Sequence, residues 1–259
     1  MKIPIYQVDA FTDKLFSGNP AAVCLLPKWL DDELLQNIAA ENNLSETAFL
    51  VKNNKKYEIR WFTPKVEVPL CGHATLASSY IIFNYTEPGA DQIKFNSKSG
   101  ELIVTKSNDL ITLNFPANKP SPIKPTEDLL LAVPLKPRAV LHNSAYLAIF
   151  DDETQIREMS PNITLLKKLG EEGLIISARG KEVDFVSRFF VPGAGIDEDP
   201  ATGFAHTLLI PYWSELLKKK KLHALQVSSR GGEIFCEDLD SRVNISGRAV
   251  EYLSGHINI

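Results

Sequence analysis

Four side chains able to hold or hand on a proton stand in short turns beside helix or strand patterns. Glu46 sits in Leu44-Ser45-Glu46-Thr47, between a helical stretch and a strand-like one. Cys71 and His73 flank Gly72 in Leu70-Cys71-Gly72-His73-Ala74-Thr75. Asp199 precedes Pro200 in Glu198-Asp199-Pro200-Ala201-Thr202-Gly203. Carboxylates and imidazoles are the usual general acids and bases. A cysteine in a helix-opening turn can have a lowered pKa and act as base or nucleophile. Each residue also has a structural reading: Glu46 as a cap or surface charge, His73 as a satisfied core histidine, Asp199 as a turn former, Cys71 as a small buried hydrophobe.

The chain writes this neighbourhood twice. Arg60-Trp61-Phe62-Thr63-Pro64 recurs as Arg188-Phe189-Phe190-Val191-Pro192. The pattern Glu-x-Pro-x-x-Gly-x-Ala at Glu67 to Ala74 recurs without a gap at Glu198 to Ala205, with three extra residues between the two patterns in the second copy. An apolar helical run follows each, Leu76 to Phe83 and Leu208 to Tyr212. Two similar lobes are therefore expected, with two glycine turns opening helices toward one cleft. A helix start carries unpaired N–H groups and a positive dipole end, so Gly72 and Gly203, with Cys71, Thr202 and Phe204 beside them, are candidates for holding a small carboxylate. The copies differ where chemistry would differ: Cys71 against Thr202, His73 against Phe204, Val68 against Asp199. Thr202 takes no proton at neutral pH, so a symmetric two-thiol mechanism is unavailable.

The 259 residues have a formal net charge of −4, are 44% hydrophobic and 23% charged, and suit two modest lobes. That charge gives no electrostatic footprint for nucleic acid. The basic run Lys218 to Lys221 reads as the solvated end of a helix. No run of 18 apolar residues could span a membrane. Three scattered cysteines make neither a disulfide framework nor a zinc pattern, and a reducing, cytoplasmic setting is expected. No Walker or dinucleotide-binding glycine pattern appears, so no nucleotide cofactor is implied, and no metal.

The elements that must position these residues read as an α+β fold. Ile3–Ala10, Pro20–Leu26, Ala48–Val51 and Tyr57–Phe62 read as strands, and a helix capped by Asp31 or Asp32 carries an apolar face of Leu34, Leu35, Ile38 and Ala39. Ile93–Phe95, Leu102–Val104 and Leu110–Leu113 read as a meander. The prolines at 116, 120, 122 and 125 mark a boundary between an N-terminal lobe, 1–117, and a C-terminal lobe, 118–247, with 248–259 returning to the first. In the second lobe Ser160-Pro161 reads as a helix start, Leu174–Ala178, Val183–Phe190 and Gln226–Ser229 as strands, and Pro211 as a disturbance of its helix after two turns.

Ser17-Gly18-Asn19-Pro20-Ala21-Ala22-Val23, Asn43-Leu44-Ser45-Glu46-Thr47-Ala48-Phe49, Trp61-Phe62-Thr63-Pro64, Leu70 to Thr75 and Glu198 to Gly203 together resemble the PhzF-like, or phenazine biosynthesis-like, proteins in order and spacing over nearly the whole chain. The resemblance implies the diaminopimelate-epimerase-like fold: two pseudo-repeated lobes, each a curled mixed or antiparallel sheet around a central helix, with the active site between them. It implies a homodimer without metal or organic cofactor, and an isomerase that moves a proton on a small carboxylate substrate. Its general acid/base glutamate matches Glu46, and its active-site histidine and aspartate match His73 and Asp199. The family's serine after the second glycine is Phe204 here, a departure that bears on the substrate. A two-base epimerase or racemase, and a non-catalytic member that binds a metabolite or a protein, are the rival readings.

Overall fold

The first strand pattern becomes β1 (Lys2–Ala10), buried at Ile3 and from Val8 to Ala10, whose antiparallel partner is β2 (Asn19–Leu26). The computed structural model describes residues 1–259, and the chain divides into two units, Met1–Asn114 with Ser246–Ile259, and Phe115–Ile245.

In the first unit β2 runs parallel to β3 (Glu46–Asn53), a pairing that needs a crossover, supplied by α1 (Asp32–Asn42). Asn43 ends that helix in the left-handed conformation, φ 50°, which Asn tolerates better than most side chains. β3 pairs antiparallel with β4 (Lys56–Phe62), and β4 with the short β5 (Glu67–Val68). Next come α2 (Gly72–Ile81) and a π-helical turn over Ile82–Thr86. β6 (Gln92–Ser97) runs parallel to β4 and starts a meander with β7 (Gly100–Ser107) and β8 (Leu110–Pro116).

The second unit opens with β9 (Ser121–Pro122), α3 (Glu127–Ala132) and β10 (Ala139–His142), which pairs with both β9 and β11 (Tyr146–Ile149). After α4 (Glu153–Glu158) and α5 (Ile163–Leu166), β12 (Leu174–Arg179) lies parallel to β11 and antiparallel to β13 (Phe185–Val191). β13 pairs with β14 (Ile196–Asp199); then come α6 (Gly203–Leu217), β15 (Lys221–Gln226) parallel to β13, β16 (Gly232–Asp238) and β17 (Arg242–Gly247). Finally β18 (Ala249–Asn258) pairs along the whole of β1. Each unit thus runs the same series of pairings, antiparallel, parallel, antiparallel, antiparallel, and then a strand parallel to the fourth. The fold is α+β and diaminopimelate-epimerase-like.

Both central helices are buried over most of their residues, as a helix wrapped by its sheet must be. In α2 eight of the ten residues are buried. Its buried hydroxyls are satisfied locally: Thr75, Ser78 and Ser79 each donate to the carbonyl four residues back. α6 runs unbroken through Pro211 for 15 residues, against the expected disturbance. Proline removes the N–H that would reach the Thr207 carbonyl, and the Asn118 N–H takes that carbonyl at 3.0 Å.

Two other expectations are corrected. Asn162, not Ser160, caps the short helix after it, its side chain accepting from the Leu165 N–H at 3.1 Å. The strand after α6 is 221–226, not 226–229: Lys218 closes the helix in the left-handed conformation, φ 52°, and Lys221 already belongs to β15.

The repeated sequence patterns become one repeated device. Arg60 grips Glu67 with two parallel hydrogen bonds, both 2.8 Å, and Arg188 grips Glu198 at 2.7 and 2.8 Å. Each guanidinium also lies over a phenylalanine of its own strand, 5.1 Å from Phe62 and 4.8 Å from Phe190. The forks tie β4 to β5 and β13 to β14, fixing the turn that leads into each helix. The bidentate geometry holds the Glu67 carboxyl down to about 2. The second copy has three more residues between its proline and its glutamate, and there a 3₁₀ turn, Pro192–Ala194, opens the longer connection.

Candidate active site

In the first unit three element beginnings bring polar side chains together. Glu46 is the first residue of β3, Asn19 the first of β2, and Cys71 and His73 open α2 as N-cap and second helical residue. Gly18, with φ 64°, makes the bend before Asn19; a Cβ there would run into the Ala10 carbonyl and the Thr12 methyl, so the turn requires glycine.

His73 is the hub. Its Nε2 lies 3.1 Å from Glu46 Oε2, with side-chain exposures of 6% and 14%. Despite the short distance the two atoms are off hydrogen-bond alignment, and neither has another hydrogen-bond partner. On the other side of the ring, Nδ1 lies 3.2 Å from Asn19 Nδ2 and 3.5 Å from Cys71 Sγ.

Burial disfavours a charged imidazole at His73, but the negative charges it faces, at an ionised Cys71 and at Glu46, outweigh burial and push its pKa above the usual histidine value. Burial in turn pushes the Cys71 thiol up, Glu46 adds to this, and His73 works against it. A thiol held that high is neutral near pH 7, so there it is Glu46 that supplies the charge His73 feels. The activated cysteine that a helix-opening turn would allow is therefore not what this burial produces.

The ligand atoms of Glu46, Cys71 and His73 lie within 4.8 Å of one another, close enough to consider a metal. Cys71 and Glu46 face opposite ring nitrogens, however, and an imidazole lone pair can point at only one metal in that plane. The arrangement suits proton transfer along Cys71, His73 and Glu46 better than coordination. The N-cap side chains of α2 and α6 make no cap hydrogen bond, although the Ala74 N–H points at the Cys71 sulfur, and a helix start of this kind offers N–H groups to an acceptor.

In the second unit Thr202 caps α6 by position, and its hydroxyl donates to Asp199 Oδ2 at 2.5 Å. Gln226, which sequence reading missed, is 1% exposed and holds this turn at two points. Its Oε1 accepts from the Thr202 N–H at 2.9 Å, and its Nε2 donates to the Asp199 carbonyl at 2.6 Å. The only sequence signal was a lone Gln at the end of a strand pattern. His206 was missed as well: fully buried, it binds the Thr202 carbonyl through Nδ1 at 2.7 Å, and burial pulls its pKa down to about 4 against that bond. It is a neutral structural histidine. Phe204 is 42% exposed, its ring 6.1 Å from Phe189.

The structure therefore brings Glu46, Cys71, His73 and Gly72 together within the first unit, and Asp199, Thr202, Gly203 and Phe204 within the second.

Known proteins resemble this chain over its whole length. The family model described as phenazine biosynthesis-like protein matches residues 8–255. An uncharacterized isomerase of Pseudomonas aeruginosa is 46% identical over 259 residues, covering all of both chains. The crystal structure of a PhzF-family phenazine biosynthesis protein of Enterococcus faecalis superposes with a TM-score of 0.97 at 44% identity, again covering all of both chains. At 10% identity a hydroxyproline epimerase from Agrobacterium vitis shares the fold, with a TM-score of 0.62 over 99% of this chain and 92% of its own. With the family model and whole-length relatives matching from end to end, the chain belongs to the phenazine biosynthesis-like family and is an isomerase.

Proposed function

We propose that this isomerase moves a proton between carbons of a small carboxylate substrate, by general acid/base catalysis in a cleft between its two units. Glu46 takes the proton and returns it to a different carbon. His73 hydrogen-bonds the substrate and carries protons, and Asp199 contributes from the second unit. The uncapped starts of α2 and α6, at Gly72 and Gly203, bind the carboxylate through their N–H groups.

One observation carries the reading: Glu46 Oε2 and His73 Nε2 are buried, 3.1 Å apart, and neither has a hydrogen-bond partner. Burying two such groups without partners costs stability unless something uses them. A carboxylate beside an imidazole is the pair that can accept and donate a proton near neutral pH. The neutral thiol of Cys71 supports one carboxylate shuttle rather than a thiol pair.

A panel of cyclic and unsaturated carboxylates, with a dihydro-hydroxyanthranilate and proline among them, should be incubated with the enzyme in heavy water. Some member should exchange or shift a carbon-bound hydrogen. Glu46→Gln should lose this by roughly 10²–10⁴-fold while keeping its fold, and Cys71→Ser should keep most of it. Loss in Cys71→Ser with retention in Glu46→Gln would make the thiol the base and end this proposal. The homodimer belongs to the same proposal, and sedimentation of the purified protein tests it.

A further inference from the structure

We propose that Asn19 is a positioning residue that keeps His73 in the tautomer protonated on Nε2. This deepens the reading of the Glu46–His73 pair and rests on it only for its effect on turnover.

Asn19 is fully buried at the first position of β2, with its amide nitrogen 3.2 Å from His73 Nδ1. An amide –NH₂ has two hydrogens and no lone pair to offer, so a bond at that distance needs Nδ1 as acceptor. The second neighbour of Nδ1, the Cys71 sulfur at 3.5 Å, is a protonated thiol and also donates. With two donors on Nδ1, the ring hydrogen belongs on Nε2, where it faces Glu46 Oε2 at 3.1 Å. The opposite tautomer would put a donor against the donors of Asn19 and aim the Nε2 lone pair at a carboxylate oxygen.

Asn19 works against the charged ring, because the ring's Nδ1–H would meet the amide hydrogens. The titratable groups facing His73 are Glu46 and Cys71. Glu46 favours the charged ring and Asn19 opposes it. The consequence is a division of labour. His73 is fixed as a donor through Nε2, so the free carboxylate of Glu46 is left as the group that takes the proton from carbon. Tautomer selection by a partner on the second nitrogen is a general property of histidine.

The test needs no substrate. Two-bond ¹H–¹⁵N spectra of the ¹⁵N-histidine protein, with His73 assigned by loss of its signals in His73→Gln, report which nitrogen carries hydrogen. At the lowest pH where the wild-type ring is neutral, it should show a pyrrole-type Nε2 and a pyridine-type Nδ1. Asn19→Asp replaces the donor with a negative acceptor at nearly constant shape. It should give a ring protonated on both nitrogens, losing its proton at a pH higher by roughly 1–3 pH units. Where a ligand is turned over, its pH profile should move the same way. A neutral wild-type His73 protonated on Nδ1 would overturn the proposal even if the variant failed to fold. So would identical ring patterns in wild type and Asn19→Asp. A full-rate Glu46→Gln enzyme would instead sink the acid/base reading and leave the tautomer result standing.

Discussion

Residues 60–75 and 188–206 share a scaffold and diverge in chemistry. In both an arginine fork closes on a glutamate, a glycine opens the central helix, and the fourth helical residue bonds back to the N-cap carbonyl, through the Thr75 hydroxyl in one and His206 Nδ1 in the other. What differs is the second helical residue. His73 is buried against Glu46, whereas Phe204 is 42% exposed, with its ring 6.1 Å from that of Phe189. The carboxylate differs too: Glu46 Oε2 has no hydrogen-bond partner, while Asp199 accepts from Thr202 within a turn braced by Gln226. The repeated part makes rigid helix starts, and the unrepeated part specialises them.

Making the two copies alike at the second helical position should have the largest effect. His73→Phe should lower proton exchange by roughly 10²–10⁴-fold with the fold retained, measured by deuterium incorporation. An unimpaired variant would show that the difference between the copies is not catalytic.

Cutting each fork comes next. Arg188→Ala strands the partly buried Glu198, whereas Arg60→Ala leaves Glu67 the Lys98 ammonium at 2.5 Å; each should cost about 2–4 kcal/mol in urea unfolding. Arg188 should cost more by about 1 kcal/mol, because its guanidinium also donates to the Ile156 and Met159 carbonyls, whereas the third partner of Arg60 is the exposed Asp32. Equal losses would mean that those extra bonds add nothing.

His206 sharpens the comparison through pH. Its native pKa of about 4 lies below the unfolded value of about 6.5, so the unfolded chain binds the extra proton between them. Stability should be unaffected above pH 6.5, fall as pH drops below it, and level off below 4 with a loss of about 3 kcal/mol. His206→Thr, which copies Thr75, should flatten that slope in unfolding measured from pH 7 to 4. An unchanged slope would place the acid sensitivity elsewhere.

The smallest effect is expected for Phe204→Ser. Stability should change by no more than about 0.5 kcal/mol, since the side chain is exposed. Binding of hydroxylated cyclic carboxylates should improve, as calorimetry would show; an unchanged binding profile would remove Phe204 from the candidate site.

Several features were legible because they are local. Strands such as Leu110–Pro116 and Arg242–Gly247 alternate, and the paired Arg–Phe–Pro and Glu–Pro–Gly patterns announce a repeat. Glu46, His73 and Asp199 came from motif resemblance, since a lone carboxylate between a helix and a strand has no local signature. Gln226 and His206 were invisible for a related reason: their roles depend on turns more than 20 residues away or on a carbonyl one helical turn back. Pro211 misled because the group that replaces its missing bond, the Asn118 N–H, belongs to a distant loop.

The sequence by itself determined the two-lobed plan, the family, and the asymmetry between Cys71 and Thr202, because these are matters of residue type, spacing and order. Only the tertiary structure decided that Cys71 is a neutral thiol, that Glu46 and His73 meet at 3.1 Å, and that Asn19 faces the far side of the ring. Protonation depends on burial and on which charges and dipoles lie within a few ångströms, and those neighbours come from β2, β3 and α2, which meet only when the chain folds.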